Sequence, residues 1–145
     1  MSRAIVWFRR DLRLADNPAL AAALNAHATV LPVYVHAPDE EAPWQPGAAS
    51  RWWLHHSLTS LDADLRARGA ALHVRRGETL AALRALAAES GASAVYWNRL
   101  YEPALVARDS RIKEALRADG IDAQIFNAAL LFEPWDIATG QQTPY

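Results

Sequence analysis

Three arginines and one aspartate crowd the end of a single apolar run: Arg9, Arg10, Asp11 and Arg13 follow directly on Ala4-Ile5-Val6-Trp7-Phe8. Guanidinium groups in such a place hold a carboxylate, a phosphate or a ligand carbonyl through forked hydrogen bonds. In an open α/β sheet the carboxyl ends of the strands are where ligands sit. The same residues also suit a structural ion-pair network, so two readings of the cluster stand side by side. Little else in the chain carries chemistry. There is no cysteine, which excludes disulfides, thiolate metal sites and thiol nucleophiles. The five histidines, His27, His36, His55, His56 and His73, offer no pair at ligand spacing supported by carboxylates. No glycine follows the first apolar run, and the chain has neither a G-x-x-x-x-G-K-[ST] loop nor a G-x-S-x-G elbow. Dinucleotide binding through a glycine-rich turn, P-loop hydrolysis and α/β-hydrolase chemistry are therefore not expected.

The elements that must position the cluster are legible from periodicity. Five short, nearly continuous apolar runs, Ala4 to Phe8, Val30 to Val35, Ala71 to Val74, Ala94 to Trp97 and Ala123 to Phe126, read as parallel strands covered on both faces. Helical patterns alternate with them. The first helix starts at Asp16-Asn17-Pro18, a capping signal, with Leu20 and Leu24 toward the sheet. The second covers about Ala48 to Arg68 on a Leu54, Leu58, Leu61, Leu65 stripe and ends at Gly69. The third runs from Thr79 to Glu89 with Leu80, Leu83 and Ala87 inward, and the fourth from Pro103 to before Gly120 on Leu105, Ile112 and Leu116. Right-handed crossovers make this an α/β fold, a doubly wound five-stranded parallel sheet in the order 3-2-1-4-5 with helices on both faces. Its crevice is expected between strands 1 and 4, bordered by Arg9 to Leu14 and Asn98 to Glu102. The only long connection, Pro38 to Gly47, carries three prolines and reads as a stiff surface lid.

Two residues break the helical patterns. Asp109 falls about 40° from Leu105, on the apolar stripe of the fourth helix. A carboxylate there needs a partner, expected to be an arginine from strand 1 or Arg99. On the second helix, Trp52 and His56 project from the face opposite the leucine stripe, with Trp53 about 100° to its side. That face suits an exposed surface, or one that meets a planar ligand or another domain.

Bulk properties set the bounds. At 145 residues and 52% hydrophobic content, one core is expected. Fifteen basic against sixteen acidic residues give a net charge of −1, so nothing in the balance asks for a polyanionic partner. No apolar run reaches the length of a membrane span and no secretory signal opens the chain, so a soluble, cytoplasmic protein without membrane contact is expected.

WFRRDLRLADNPAL (7–20), VLPVYVHAP (30–38), PGAASRWWLHHSLTSLDADLRARG (46–69), YWNRLYEP (96–103), Ala107-Arg108-Asp109 and FNAALLFEPWDIATGQQTPY (126–145) together closely resemble the N-terminal region of the DNA photolyase and cryptochrome family. SRWWLHHSL is similar to the branch of bacterial cyclobutane pyrimidine dimer photolyases related to plant cryptochromes. The resemblance implies an antenna-chromophore domain over residues 1–130 and the start of an interdomain linker over 131–145. The helical domain that binds FAD and damaged DNA would be absent from this chain. It implies a parent enzyme, a deoxyribodipyrimidine photolyase, that repairs pyrimidine dimers by light-driven electron transfer from FAD. This chain alone would then be inactive, with no catalytic residue and no metal. A cryptochrome-type blue-light photoreceptor and a free-standing nucleotide-binding α/β module are the alternatives.

For the antenna, the resemblance puts methenyl folate ahead of a deazaflavin. Ala104-Leu105 stand where one folate-binding group has Asn-Glu, and Leu100 stands where the deazaflavin group has Asp. Arg9 matches an arginine of the deazaflavin pocket, and Tyr34, Val35 and His36 match a segment that forms another wall. Glu40 and Trp44 are wall residues by their place in the loop. Of the three arginines, Arg9 is expected to face the chromophore, leaving Arg10 or Arg13 to balance buried carboxylates.

Overall fold

The computed structural model describes residues 2–140. Five strands, β1 (Arg3–Phe8), β2 (Thr29–His36), β3 (His73–Arg76), β4 (Ala94–Asn98) and β5 (Asp122–Phe126), pair in parallel in the order β3-β2-β1-β4-β5. Between them run α1 (Pro18–Ala26), α2 (Ala48–Arg66), α3 (Thr79–Ser90) and α4 (Pro103–Ala118). This is the expected topology. Among the described residues, no helix is long and apolar enough to cross a membrane.

The alternation of β1 divides the core into two layers. Ala4, Val6 and Phe8 pack with α1 and α2 residues Ala19, Leu20, Ala23, Leu61 and Leu65. Ile5 and Trp7 point the other way, to Leu83, Leu86, Ile112 and Leu116 of α3 and α4. Successive strand residues point to opposite faces, so the parity that sends Trp7 toward α4 also sends Arg9 there. That parity decides the chemistry of the cluster.

Several expected boundaries and orientations need correction. β3 begins at His73, two residues later than expected, and as an edge strand it stays largely exposed rather than covered on both faces. Ala71 and Leu72 form its approach, where the Leu72 N–H donates to Asp62 Oδ1 at 2.9 Å. Leu24 is 59% exposed, not inward. It lies roughly 95° from the centre of the buried Ala19, Leu20, Ala23 stripe. Of the α2 leucines only Leu61 and Leu65 are fully buried, because the first half of the helix rides over a cleft.

Candidate functional site

The crevice between β1 and β4 is bridged by side chains, with a space of ≈110 Å³ left open beside Arg10, Asp11, Arg13, Asn98, Arg99 and Leu100. β1 pairs with β4 only from Ala4 to Val6, so the strands splay at their carboxyl ends. Asn98 occupies the wedge. Its side-chain amide donates to Asp11 Oδ2 and, at 2.8 Å, to Asn17 Oδ1, while its Oδ1 accepts from the Ala19 N–H at 3.1 Å. Asn17 in turn caps α1, its Oδ1 accepting from the Leu20 N–H at 3.1 Å. The first helix therefore begins with its N–H groups already engaged by side chains. The crevice expected between Arg9 to Leu14 and Asn98 to Glu102 is thus narrowed by the Asn98 wedge to a small space lined by residues of both segments.

Arg9 lies beside it, buried, and donates from Nη1 to Asp109 Oδ2 at 2.7 Å and from Nη2 to the Asn98 carbonyl. Its guanidinium also stacks 4.3 Å from the Trp7 ring centroid. Burial lowers the Arg9 pKa, with Asp109 opposing that shift. The expected strand-1 partner for Asp109 is thus found, and it is the arginine that had been assigned to the chromophore. Arg10 instead lies half in solvent, paired with Glu102 and, at 3.3 Å, with Glu41. Among the described residues, Arg13 donates only to the carbonyls of Asp16 and Ala128. Arg9 therefore neutralises the buried Asp109 and also lines the open spaces beside it, whereas among the described residues Arg10 and Arg13 balance no fully buried carboxylate. Arg108, a residue the sequence reading left without a role, extends the buried network: Nη2 is 2.9 Å from Asp109 Oδ1 and Nη1 is 3.5 Å from Glu40 Oε2.

Glu40, in a short 3-10 turn over Pro38–Glu41, turns toward α3. Its Oε1 accepts from the Thr79 N–H at 2.7 Å and its Oε2 from the Thr79 hydroxyl at 2.6 Å. Glu78 takes the next two N–H groups, of Leu80 and Ala81. The start of α3 is thus closed by carboxylates and offers nothing to a phosphate.

The open space lies one strand over, above the ends of β1 and β2. An inner cavity of ≈60 Å³, floored by Trp7 and Arg9, opens among Tyr34, Val35, His36 and Leu105. It shares Arg9, Arg10, Tyr34, Glu41, Pro46 and Leu54 with an outer cleft of ≈600 Å³, a size suited to a small organic ligand. Trp44, 87% exposed, and Trp53, 68% exposed, flank the outer cleft, joined by Ser50 and Ser57. Tyr34 spans both spaces; burial and the Glu41 carboxylate hold its phenol pKa above the ordinary value.

Five of the six expected wall residues, Arg9, Tyr34, Val35, His36 and Trp44, therefore line one or both of these connected spaces. Glu40 does not; it borders a separate cavity with His36, Arg76 and Glu78. Trp53 and Arg51 were missed. Trp53 was legible as a tryptophan at the flank of the α2 stripe, whereas nothing local marked Arg51. Trp52 and His56 do project from the outer face of α2, exposed, with ring centroids 4.3 Å apart and planes tilted by 59°.

No nucleophile, base and orienting group converge here, and among the described residues no His, Cys, Asp and Glu cluster could hold a metal ion. The cleft is instead bordered by three aromatic side chains, Tyr34, Trp44 and Trp53. A family model described as DNA photolyase matches residues 4–145. Cryptochrome-1 of Arabidopsis thaliana is 46% identical over 143 residues, 98% of this chain and 21% of that protein. A bacterial class III photolyase structure from Agrobacterium tumefaciens superposes with a TM-score of 0.91 at 42% identity, covering 99% of this chain and 29% of that one. An archaeal photolyase from Sulfolobus tokodaii, solved with two FAD molecules and implying a novel light-harvesting cofactor, gives 0.83 at 30% identity, covering 94% and 32%. The chain spans about a fifth to a third of the length of these proteins.

Proposed function

Since this chain belongs to the DNA photolyase family, we propose that it is the antenna-chromophore domain of a light-driven deoxyribodipyrimidine photolyase. The observation that carries this reading is the cleft between β1, β2 and the loop before α2, walled by Tyr34, Trp44 and Trp53. Three aromatic side chains around a space of ≈600 Å³ fit a planar chromophore. When bound, the antenna supplies absorption of near-UV or blue light and passes excitation to FAD in the remainder of the protein, where light-driven electron transfer splits pyrimidine dimers in DNA. The residues of this chain need only hold the ring at a fixed position and angle and keep water from it. The buried Arg9–Asp109–Arg108 network and Trp7 give the cleft a rigid floor for that task. Methenyl folate is favoured over a deazaflavin.

A cryptochrome-type photoreceptor is the second reading, supported by the 46% identity with the Arabidopsis protein. A free-standing nucleotide-binding module lacks support: the α1 and α3 starts, where a phosphate would sit, are already bonded to Asn17, Asn98, Glu40 and Glu78.

Chromophore extraction from the purified protein tests the site. Trp44→Ala combined with Trp53→Ala should weaken antenna binding at least tenfold, the loss of about 1.4 kcal/mol of stacking, and lower the occupancy accordingly. Leu24→Ala, outside the cleft, should leave it unchanged. Full occupancy in the double variant would remove the cleft from consideration.

A further inference from the structure

The stretch that follows β5 is turned inside out. Among residues 128–138 the one buried side chain is charged: Glu133 is 8% exposed, whereas Leu131 is 96%, Phe132 65% and Trp135 63% exposed. Apolar groups outside and a carboxylate inside invert the ordinary distribution. Arg99 produces the inversion. Its Nη1 donates to Glu133 Oε1, its guanidinium lies 4.9 Å from the Trp135 ring centroid, and its backbone N–H donates to the Phe126 carbonyl at 2.8 Å. A carboxylate taken out of water has to stay with its cation, so the pair draws Glu133 inward and the side chains that flank it turn out.

The turn is fixed on either side. Before it, Asn127 Oδ1 accepts from the Ala129 and Leu130 N–H groups at 3.2 and 3.0 Å, and Arg13 Nη2 donates to the Ala128 carbonyl at 3.2 Å. After it, the Glu133 N–H donates to Asp136 Oδ2 at 3.1 Å and the Asp136 N–H to the Glu133 carbonyl at 2.9 Å. A loosely attached segment would fold its apolar side chains against its own domain; this one is pinned so that they face away. The clasp also adjoins the cleft, because Arg99 directly follows Asn98, whose carbonyl accepts from Arg9 Nη2 on the cleft floor.

Charge and length identify what covers this face. No lysine or arginine occurs between Phe126 and Gly140, so the face is not made for a polyanion. An exposed apolar patch rimmed by polar groups marks a protein contact. The chain covers only 29% and 32% of the photolyase structures it superposes on, and residues 131–137 lie within the family match. A protein of that length carries the covering surface in its own polypeptide.

We infer that the Arg99–Glu133 clasp presents Leu131, Phe132 and Trp135 as the seat of the flavin-bearing remainder of the protein, and so sets the distance and angle across which the antenna passes its excitation. The inference rests on the antenna reading and adds to it the residues that hold antenna and flavin in register. Domains joined through small contacts move relative to one another. Dipolar transfer falls with the sixth power of separation, so a loosened seat lowers transfer before it affects binding or repair.

The test uses the full-length protein carrying antenna and FAD. In hydroxyl-radical footprinting, Trp135 should be oxidised at least tenfold more slowly than Trp52, which at 62% is equally exposed in this domain, and Leu131 more slowly than Leu24. Equal rates overturn the seat. Protection that fades on dilution assigns the face to a second copy of the chain and overturns it too. For the clasp, the antenna fluorescence lifetime gives the transfer rate. Arg99→Glu should lower that rate by about half or more, while antenna content per FAD and dimer repair under light absorbed by FAD alone stay unchanged. Adding Glu133→Arg should restore most of the transfer. An unchanged rate in Arg99→Glu, or a loss that the charge swap does not recover, overturns the role of the clasp. Should Arg99→Glu not fold, recovery of folding and of transfer in the swap decides the same point. No transfer in the unmodified protein removes the antenna reading and the clasp's part in it, whereas protection of Trp135 in that protein still establishes the seat.

Discussion

Asp109→Ala should be among the most damaging single substitutions in the chain. It leaves Arg9, whose side chain is 7% exposed, charged and buried with only the Asn98 carbonyl as acceptor, its Nε being unpartnered already. Arg108 loses a counter-charge at the same moment. Breaking a buried pair by removing one partner costs about 3–5 kcal/mol, a large share of a typical domain stability of roughly 5–15 kcal/mol. At roughly 2–4 °C per kcal/mol for a domain of this size, the midpoint of thermal unfolding should fall by about 10 °C. The instructive comparison is Arg9→Met with Asp109→Leu. Replacing both partners by apolar groups of similar shape removes the stranded charge at position 9 and leaves Arg108 with Glu40 at 3.5 Å as its remaining counter-charge, so the double substitution should cost less than Asp109→Ala. Urea denaturation followed by tryptophan fluorescence measures Asp109→Ala and the double substitution, with the single Arg9→Met and Asp109→Leu changes completing the cycle. If Asp109→Ala lies within 1 kcal/mol of the unmodified protein, or the double substitution is as damaging as Asp109→Ala, the account of a paired, mutually dependent buried network is wrong.

Two further outcomes follow from the same geometry. Glu40→Ala strips the acceptors from the N–H and hydroxyl of Thr79, which is 1% exposed, and should destabilise the protein by about 1–3 kcal/mol in the same denaturation assay while faster amide exchange appears at the start of α3. Burial pushes the Glu102 carboxyl pKa upward, but backbone hydrogen bonds and Arg10 outweigh it and lower the value below the ordinary one. Its contribution is therefore complete above the unfolded carboxylate pKa and fades as pH falls through the lower folded value. An NMR titration should show Glu102 protonating after a solvent-exposed glutamate; protonation at or above the ordinary value of about 4.3 contradicts the pairing.

The sheet order, the four helices and the buried Asp109 were legible because each rests on a short-range period or a cost that one residue makes plain. Asp109 sits on an apolar stripe, and a lone buried carboxylate demands an arginine. Which arginine was also written in the chain: Arg9 is two residues beyond Trp7 and shares its face. What periodicity does not carry is where two strands splay. The filling of the β1–β4 wedge by Asn98 depends on three side chains from separate elements, Asp11, Asn17 and Asn98, meeting at one point. The same limit applies to Glu40, whose partner Thr79 lies 39 residues away, and to Arg51, whose place in the lining of the inner cavity depends on how α2 is set over the sheet.

The asparagine wedge ties the start of α1 to the ends of two strands. Asp11, Asn17 and Asn98 bond to one another and to the Ala19 and Leu20 N–H groups, so a change at any one of them reaches both the helix start and the strand ends. Trp44 and Trp53, by contrast, are exposed and take no part in strand pairing, so the cleft they flank can be altered without loosening the sheet.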